Sequence, residues 1–201
     1  MRTLKFGTLM AISAAIFSAC HNPDQHWDSK SSADTLNNMK DSIADSSKGI
    51  TRSLVMKVNK DDAKFAVEAA NGGLAEVELG QLAQQKAADQ QVKNFGAMMV
   101  TDHAKANDQM KAIAKNKGIS LPATPGNEEQ KVKTELSSKS GKKFDKAYVQ
   151  LMIEDHKEDI QKFKDAIKNV KDPDLKAFAT NTLPVLQKHL NSIEKIDKAM
   201  K

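Results

Sequence analysis

The chain has 201 residues with 31 basic and 26 acidic side chains, a net charge of +5, and only 4% aromatic residues. Its lysines alternate with acids, so it offers neither a basic stripe nor a stacking platform, and nucleic acid is excluded as a partner. Abundant Lys, Ala, Asp, Gln, Leu and Met with only five prolines favour helices over strands.

The first element is an export signal. Arg2 and Lys5 precede an apolar run from Phe6 to Ile16, and Ser18 and Ala19 lead to the single cysteine, Cys20. A positive start, a short apolar core and small residues before a cysteine make residues 1–19 a lipoprotein signal peptide, with Cys20 the lipidation site. Phe17 stands where leucine is usual. The apolar run is shorter than the roughly 20 residues a membrane-spanning helix needs. Acylation of Cys20 leaves no thiol for a disulfide, a thiolate metal site or a nucleophile. The expected location is the bacterial cell envelope, lipid-anchored, at the outer membrane facing the periplasm or the cell surface.

Residues 20–60 read as a polar, lipid-anchored tether rich in Ser, Asp, Asn and Lys. His21, His26 and Trp27 beside the anchor read as solvated tether. Within the tether, Leu36, Met39, Ile43, Ile50 and Leu54 form a weak apolar stripe that could make a helix against another element.

From Asp61 to the end the periodicity is strongly helical, and residues 61–201 are expected to form one domain. Phe65, Ala69, Gly72, Glu76, Leu79 and Ala83 step alternately by four and three, the seam of a bundle helix. Asp89 can cap a second helix with the stripe Val92, Gly96, Met99, His103, Ala106, Met110 and Ile113, which Gly118 stops. Residues 119–127, with Pro122, Pro125 and Gly126, form a loop, and a short helix is expected over residues 128–138. A third long helix carries Val149, Met152, His156, Ile160, Phe163, Ile167 and Val170. Asp172 and Pro173 then open a fourth with Leu175, Phe178, Thr182, Leu186, His189, Ile193, Ile196 and Met200. Pro184 inside it frees the Thr180 carbonyl and is expected to kink it. Four helices of about 28 residues, each roughly 42 Å long, with two tight turns and one long middle connection, predict an all-α, ferritin-like four-helix bundle with a crossover between helices two and three.

Each seam holds one ionisable residue near its middle: Glu76, His103, His156 and His189. Measured from turns centred near residues 89 and 172, all four fall at one height if the hairpins align. Asp102 and Asp155 flank the same faces, while Glu78 and Glu154 occupy more exposed ones. Imidazoles and carboxylates in one layer suit a divalent transition metal ion, Fe, Zn, Mn or Cu, with the carboxylates as ligands or as acceptors fixing the ring tautomers. The same four side chains could instead hydrogen-bond to one another and fix register. Phe95, Met99, Asp102, His103, Met110 and Lys111 recur 53 residues later as Tyr148, Met152, Asp155, His156, Phe163 and Lys164, which predicts two like helices facing each other. Met99, Met110 and Met152 lie on seams and read as core rather than as copper ligands, as Met98 would otherwise be. Gly72-Gly73 lacks a preceding strand and reads as close helix packing, not a phosphate loop.

The run from Ala69 to Gly80 (Ala-Ala-Asn-Gly-Gly-Leu-Ala-Glu-Val-Glu-Leu-Gly), Phe95 to His103 ending Met-Val-Thr-Asp-His, Phe144-Asp145 with Tyr148, Asp155-His156, Leu183-Pro184 and His189-Leu190 together resemble domain-of-unknown-function family 4142. The resemblance covers about residues 61–198. It implies a ferritin-like fold and an exported or outer-membrane bacterial protein, and it implies no activity. Di-iron bundles carry Glu-x-x-His on two helices, whereas Val100, Ile153 and Leu186 stand three before the histidines here. A single-metal site therefore fits better than a two-iron oxidase. Two functions follow: a lipid-anchored bundle that binds an envelope protein partner, such as one of a stress response, with a purely structural polar layer; or a periplasmic metal-binding or oxidoreductase protein using Glu76, His103, His156 and His189.

Overall fold

A computed structural model describes residues 28–46 and 58–200 of the chain. The expected signal segment, Cys20, His21, His26, Trp27, Ile50 and Leu54 lie outside the described residues. All regular structure among the described residues is helical: α1 (Ser29–Ser46), α2 (Lys60–Lys86), α3 (Gln90–Lys117), α4 (Asn127–Ser137), α5 (Gly141–Asn169) and α6 (Pro173–Ala199). The long helices α2, α3, α5 and α6 form the expected bundle. The count is six rather than four because α1 and the crossover helix α4 pack outside it.

The helix ends follow their local chemistry. Asn59 accepts from the Asp62 N–H at 2.9 Å and starts α2, and Asp89 accepts from the Gln91 N–H at 2.7 Å and starts α3. Gly118, at φ 73°, ends α3 in the left-handed conformation that glycine adopts without strain. Asp172 accepts from the N–H groups of Asp174 and Leu175 at 3.0 and 3.1 Å, with Pro173 at the first helical position of α6. Pro184 is accommodated within a continuous α6.

In the bundle, α2 pairs with α3 and α5 with α6, while α3 also packs on α6 and α2 on α5. Helices α3 and α5 are therefore diagonal and not facing neighbours. This corrects the expectation from the 53-residue repeat. The correspondence the fold uses is different: Asp62 and Asp145 are 83 residues apart, as are Asp89 and Asp172. The Asp62 carboxylate on α2 accepts from the N–H groups of Lys171 and Asp172 in the α5–α6 turn at 3.0 and 2.7 Å. Asp145 on α5 accepts from those of Ala88 and Asp89 in the α2–α3 turn at 2.9 and 3.0 Å. Each hairpin thus supplies one buried carboxylate that holds the turn of the other, which aligns the two hairpins end to end.

Helices α2 and α3 approach closely at Gly80 and Gly96. A Cβ on Gly80 would lie 2.7 Å from the Gly96 carbonyl oxygen, and one on Gly96 would lie 2.7 Å from that of Gly80. Alanine at either position gains about 1 kcal/mol of helix propensity but drives a methyl group into a backbone carbonyl that cannot rotate away. Gly96→Ala is expected to destabilise the bundle by about 1–3 kcal/mol net, read as a lower denaturation midpoint at unchanged slope. At Gly73 a Cβ would meet the Asn107 amide oxygen at 2.3 Å, which side-chain rotation of Asn107 would have to relieve.

Residues 29–46, read as tether, form a helix that packs on α2 and on the loop after α3. The buried face is not the apolar stripe. Leu36 and Met39 are 49% and 56% exposed, and Ala33 and Asn37 are buried instead. Asn37 exchanges two hydrogen bonds with Ser120, donating to its carbonyl at 2.9 Å and accepting from its N–H at 2.7 Å. Lys40 donates to the Gly118 carbonyl and to the Ser120 hydroxyl. The crossover is tied down by Asn71, which accepts from the Gly126 N–H at 2.7 Å, and by the Lys133–Glu78 ion pair at 2.9 Å.

The core is divided in two. One apolar cluster around Phe65, Met110, Phe163 and Leu186 fills the end near the α5–α6 turn, and another around Phe95, Met99, Tyr148, Met152 and Ile193 fills the end near the α2–α3 turn. Met99, Met110 and Met152 are buried within these clusters. The polar layer lies where they meet.

Candidate metal centre

Glu76, His103, His156 and His189 meet in one layer, as the helix heights predict. All four are buried: Glu76 is 2% exposed, and His156 and His189 are wholly enclosed. The ring centroids of the three histidines lie 5.2–6.0 Å from one another. The Phe95 ring stands edge-on to His156 and His189, 6.3 Å from each, and closes one side with hydrocarbon.

The outer nitrogen of each imidazole has an assigned task. The His156 Nδ1–H donates to the Met152 carbonyl at 2.9 Å. A carbonyl can only accept, so Nε2 of this ring carries the lone pair in the neutral form. The His189 Nε2–H donates to Asp102 Oδ2 at 2.9 Å, which leaves the lone pair on Nδ1. Those two lone pairs face each other, His156 Nε2 to His189 Nδ1, at 3.3 Å. Nδ1 of His103 shares a hydrogen with Glu76 Oε2 at 2.7 Å, while His103 Nε2 has no hydrogen-bond partner among the described residues. One ring nitrogen from each of the three histidines lies within 4.8 Å of the other two. The two facing lone pairs of His156 and His189 repel each other, and a cation between them would relieve that repulsion.

Burial also sets the proton occupancy. It pushes His103 down to about 4 and His156 down to about 3, in the second case helped by the charges of the neighbouring histidines. His189 is lowered by burial, against the pull of Asp102. Burial and the charge of Asp159 hold Glu76 well above the usual carboxylate range, and burial together with Glu76 raises Asp155. At neutral pH the three imidazoles are therefore neutral, and no imidazolium proton fills the gap between His156 and His189.

The flanking carboxylates take different roles. Asp102, partly exposed, is an acceptor that orients His189. Asp155 belongs with Glu76 and His156 to a second set, whose ligand atoms also lie within 4.8 Å of one another. Glu76 Oε1 is 3.6 Å from His156 Nε2 and has no hydrogen-bond partner among the described residues. Glu78 pairs with Lys133 away from the layer, and Glu154 is exposed. In the sequence Tyr148 stands out as a repeat position and among the residues that carry the family resemblance. Its hydroxyl is buried without a partner among the described residues, and burial with the Glu76 charge raises its pKa. The sequence signal for its place is its spacing, since positions 148, 152 and 156 fall on one helical face.

Comparison with known proteins places the chain further. The family model described as "Domain of unknown function (DUF4142)" matches residues 52–196. No curated protein matches the sequence. Among solved structures, a DUF305 fragment from Deinococcus radiodurans superposes with a TM-score of 0.61 at 13% identity, covering 69% of this chain and 96% of that one. A DUF305 protein from Streptomyces coelicolor gives 0.60 at 14% identity, covering 69% and 93%. CopM in the Cu(II)-bound form gives 0.60 at 14% identity, covering 70% and 97%. At such identities these likenesses show a shared helical fold.

Proposed function

We propose that this chain, which belongs to the DUF4142 family, is a lipid-anchored envelope protein that binds one divalent transition metal ion on His103, His156 and His189. The observation that carries this reading is the pair of inward lone pairs at 3.3 Å, with both outer nitrogens committed to acceptors. Two nitrogens on a tetrahedral ion with bonds of about 2.0–2.1 Å lie about 3.3–3.4 Å apart. The carbonyl and carboxylate behind the rings are the outer partners that metal-bound histidines use to fix their tautomers. Three imidazoles beside a carboxylate suit Zn(II), Cu(II) or Fe(II), and copper binds such donors most tightly. Cu(II) is the first ion to test, a choice to which the fold shared with CopM adds weight. A bound ion would supply a Lewis-acidic or redox centre with Glu76 Oε1 beside it. The location rests on residues 1–20, whose pattern is that of a lipoprotein signal.

Ion binding is coupled to protons. Between the lowered values of the histidines and the raised value of Glu76, the Glu76–His103 pair holds a proton that an ion displaces. Affinity is expected to rise about tenfold per pH unit over that window and to level off above the raised value of Glu76. Below about 4 the histidines protonate and binding is lost. Titration calorimetry of the metal-stripped full chain in buffers of different ionisation enthalpy should give one ion bound and about one proton released per ion. Absence of binding across the range contradicts the proposal. In the metal-free chain the two kinds of group act oppositely on stability. The histidines withdraw it as pH falls below about 6.5, because the unfolded chain takes up protons first. Glu76 and Asp155 contribute at low pH and lose their contribution as pH rises through their folded values.

A second reading is a module that binds an envelope partner, with the layer purely structural. The exposed Leu36 and Met39 of α1 favour it. It predicts a layer that ignores added metal.

A further inference from the structure

We infer that the groove between α2, α4 and α5 is the route by which a divalent cation reaches the buried layer, with Asp159 and Asp155 as successive carboxylate stations and Gly72 as its open doorway. The inference rests on the metal-binding reading above and adds how the site is filled. Such a route is needed because the four layer residues are buried, with Phe95 packed beside the rings.

The groove encloses a cavity of about 330 Å³. Glu68, Glu128, Glu129, Asp155 and Asp159 line it against Lys30 and Lys162, so its formal charge favours cations. Acidic side chains alone would be only a solvated surface. The groove leads further, because Asp155 also stands in the set with Glu76 and His156 whose ligand atoms lie within 4.8 Å of one another. Glu76 is buried, and its Oε1, on the side of His156, has no hydrogen-bond partner among the described residues. One carboxylate thus faces the groove while belonging to the buried layer.

Gly72 supports the same direction. Gly80 and Gly96 must be glycine because a Cβ there would collide with a backbone carbonyl, and at Gly73 a Cβ would have to displace the Asn107 side chain. At Gly72 the nearest atom to an added Cβ is Asp159 Oδ2 at 3.7 Å, an ordinary contact. No packing demand excludes a side chain, and glycine is disfavoured inside a helix. Its lack of a side chain leaves the groove wall open beside Asp159, and Ala75, one turn on, is also small. At the mouth the Lys162 ammonium pairs with Asp159 at 3.1 Å. An arriving cation must displace it to use that carboxylate.

The test is the rate at which metal-stripped full-length chain takes up Zn(II), followed by stopped flow with a chromophoric competitor, beside equilibrium stoichiometry. Gly72→Leu fills the doorway and improves helix propensity, and Asp159→Asn removes the outer carboxylate. Each is expected to slow uptake by about tenfold or more with the equilibrium stoichiometry still one ion per chain. Lys162→Gln, which removes the competing cation, is expected to speed uptake. Wild-type uptake should slow as ionic strength rises, because salt screens the groove. Wild-type rates in both Gly72→Leu and Asp159→Asn, with helical content intact by circular dichroism, overturn the route while leaving the site. A wild-type chain that takes up no ion overturns the metal-binding reading itself.

Discussion

His156→Leu is expected to abolish metal binding while leaving the metal-free bundle nearly as stable as before. In the wild type, a free ion concentration about a thousandfold above Kd stabilises the fold by about 4 kcal/mol, or roughly 8–16 °C in Tm for a bundle of this size. The variant loses the nitrogen that faces His189 and should show no metal-dependent rise. Its metal-free Tm should change little, for physical reasons already in the geometry. The Met152 carbonyl that accepts from His156 is inside a helix, and the lone-pair repulsion at 3.3 Å disappears with the ring. Leucine adds apolar contact between the two core clusters. Replacing a buried polar group with a hydrophobic one of similar volume is often neutral or stabilising, so a change within about 1 kcal/mol is expected. Thermal melts of both chains, with and without Cu(II) or Zn(II), measure both parts. Equal metal response in the two chains would remove His156 from the site.

The largest loss of stability is expected from the carboxylates that hold the turns. Asp62→Ala strips acceptors from the Lys171 and Asp172 N–H groups, and Asp145→Ala strips them from those of Ala88 and Asp89. Hydrogen bonds to an ionised group are the strong ones, and a donor left unsatisfied costs more than the bond itself contributed. Each change should cost about 2–4 kcal/mol by denaturant titration. The two sites are at opposite ends of helices roughly 40 Å long, so their costs should add. A combined loss of about 4–8 kcal/mol is comparable with the whole stability of a typical domain, and the double variant should be largely unfolded. Asp62→Asn keeps one acceptor and should cost less than Asp62→Ala. The polar layer is sensitive to the same pair, since these carboxylates align the hairpins that bring Glu76 and His103 level with His156 and His189. A stable double variant would mean that side-chain packing alone sets the register.

The bundle and its layer are legible in the sequence because both follow from helical period and turn position. The seams of α2, α3, α5 and α6 repeat by four and three, and the caps at Asp89, Gly118 and Asp172 fix the heights of Glu76, His103, His156 and His189. Helix α1 is harder to read because polar pairing holds it: Asn37 bonds to the Ser120 backbone while Leu36 and Met39 face solvent. An apolar stripe points to the wrong face there. The 53-residue repeat misleads for a related reason. It matches two histidine helices built from similar residues, yet these lie on a diagonal of the bundle. The 83-residue offset of Asp62 from Asp145 and of Asp89 from Asp172 carries the true correspondence, and four aspartates in an Asp-rich chain give a faint signal. Tautomers are not legible in sequence at all. That His156 and His189 turn their lone pairs inward depends on the Met152 carbonyl and on Asp102, which only the fold places.

The metal content of the purified wild-type chain, prepared without added histidines and measured by elemental analysis before and after exposure to Cu(II) and Zn(II), tests the central claim most directly. The three inward imidazoles predict one tightly held ion per chain, retained through gel filtration and absent from the His156→Leu variant. A chain that is empty as isolated and remains empty after exposure to both ions would contradict it, and the layer would then be a structural device of the bundle.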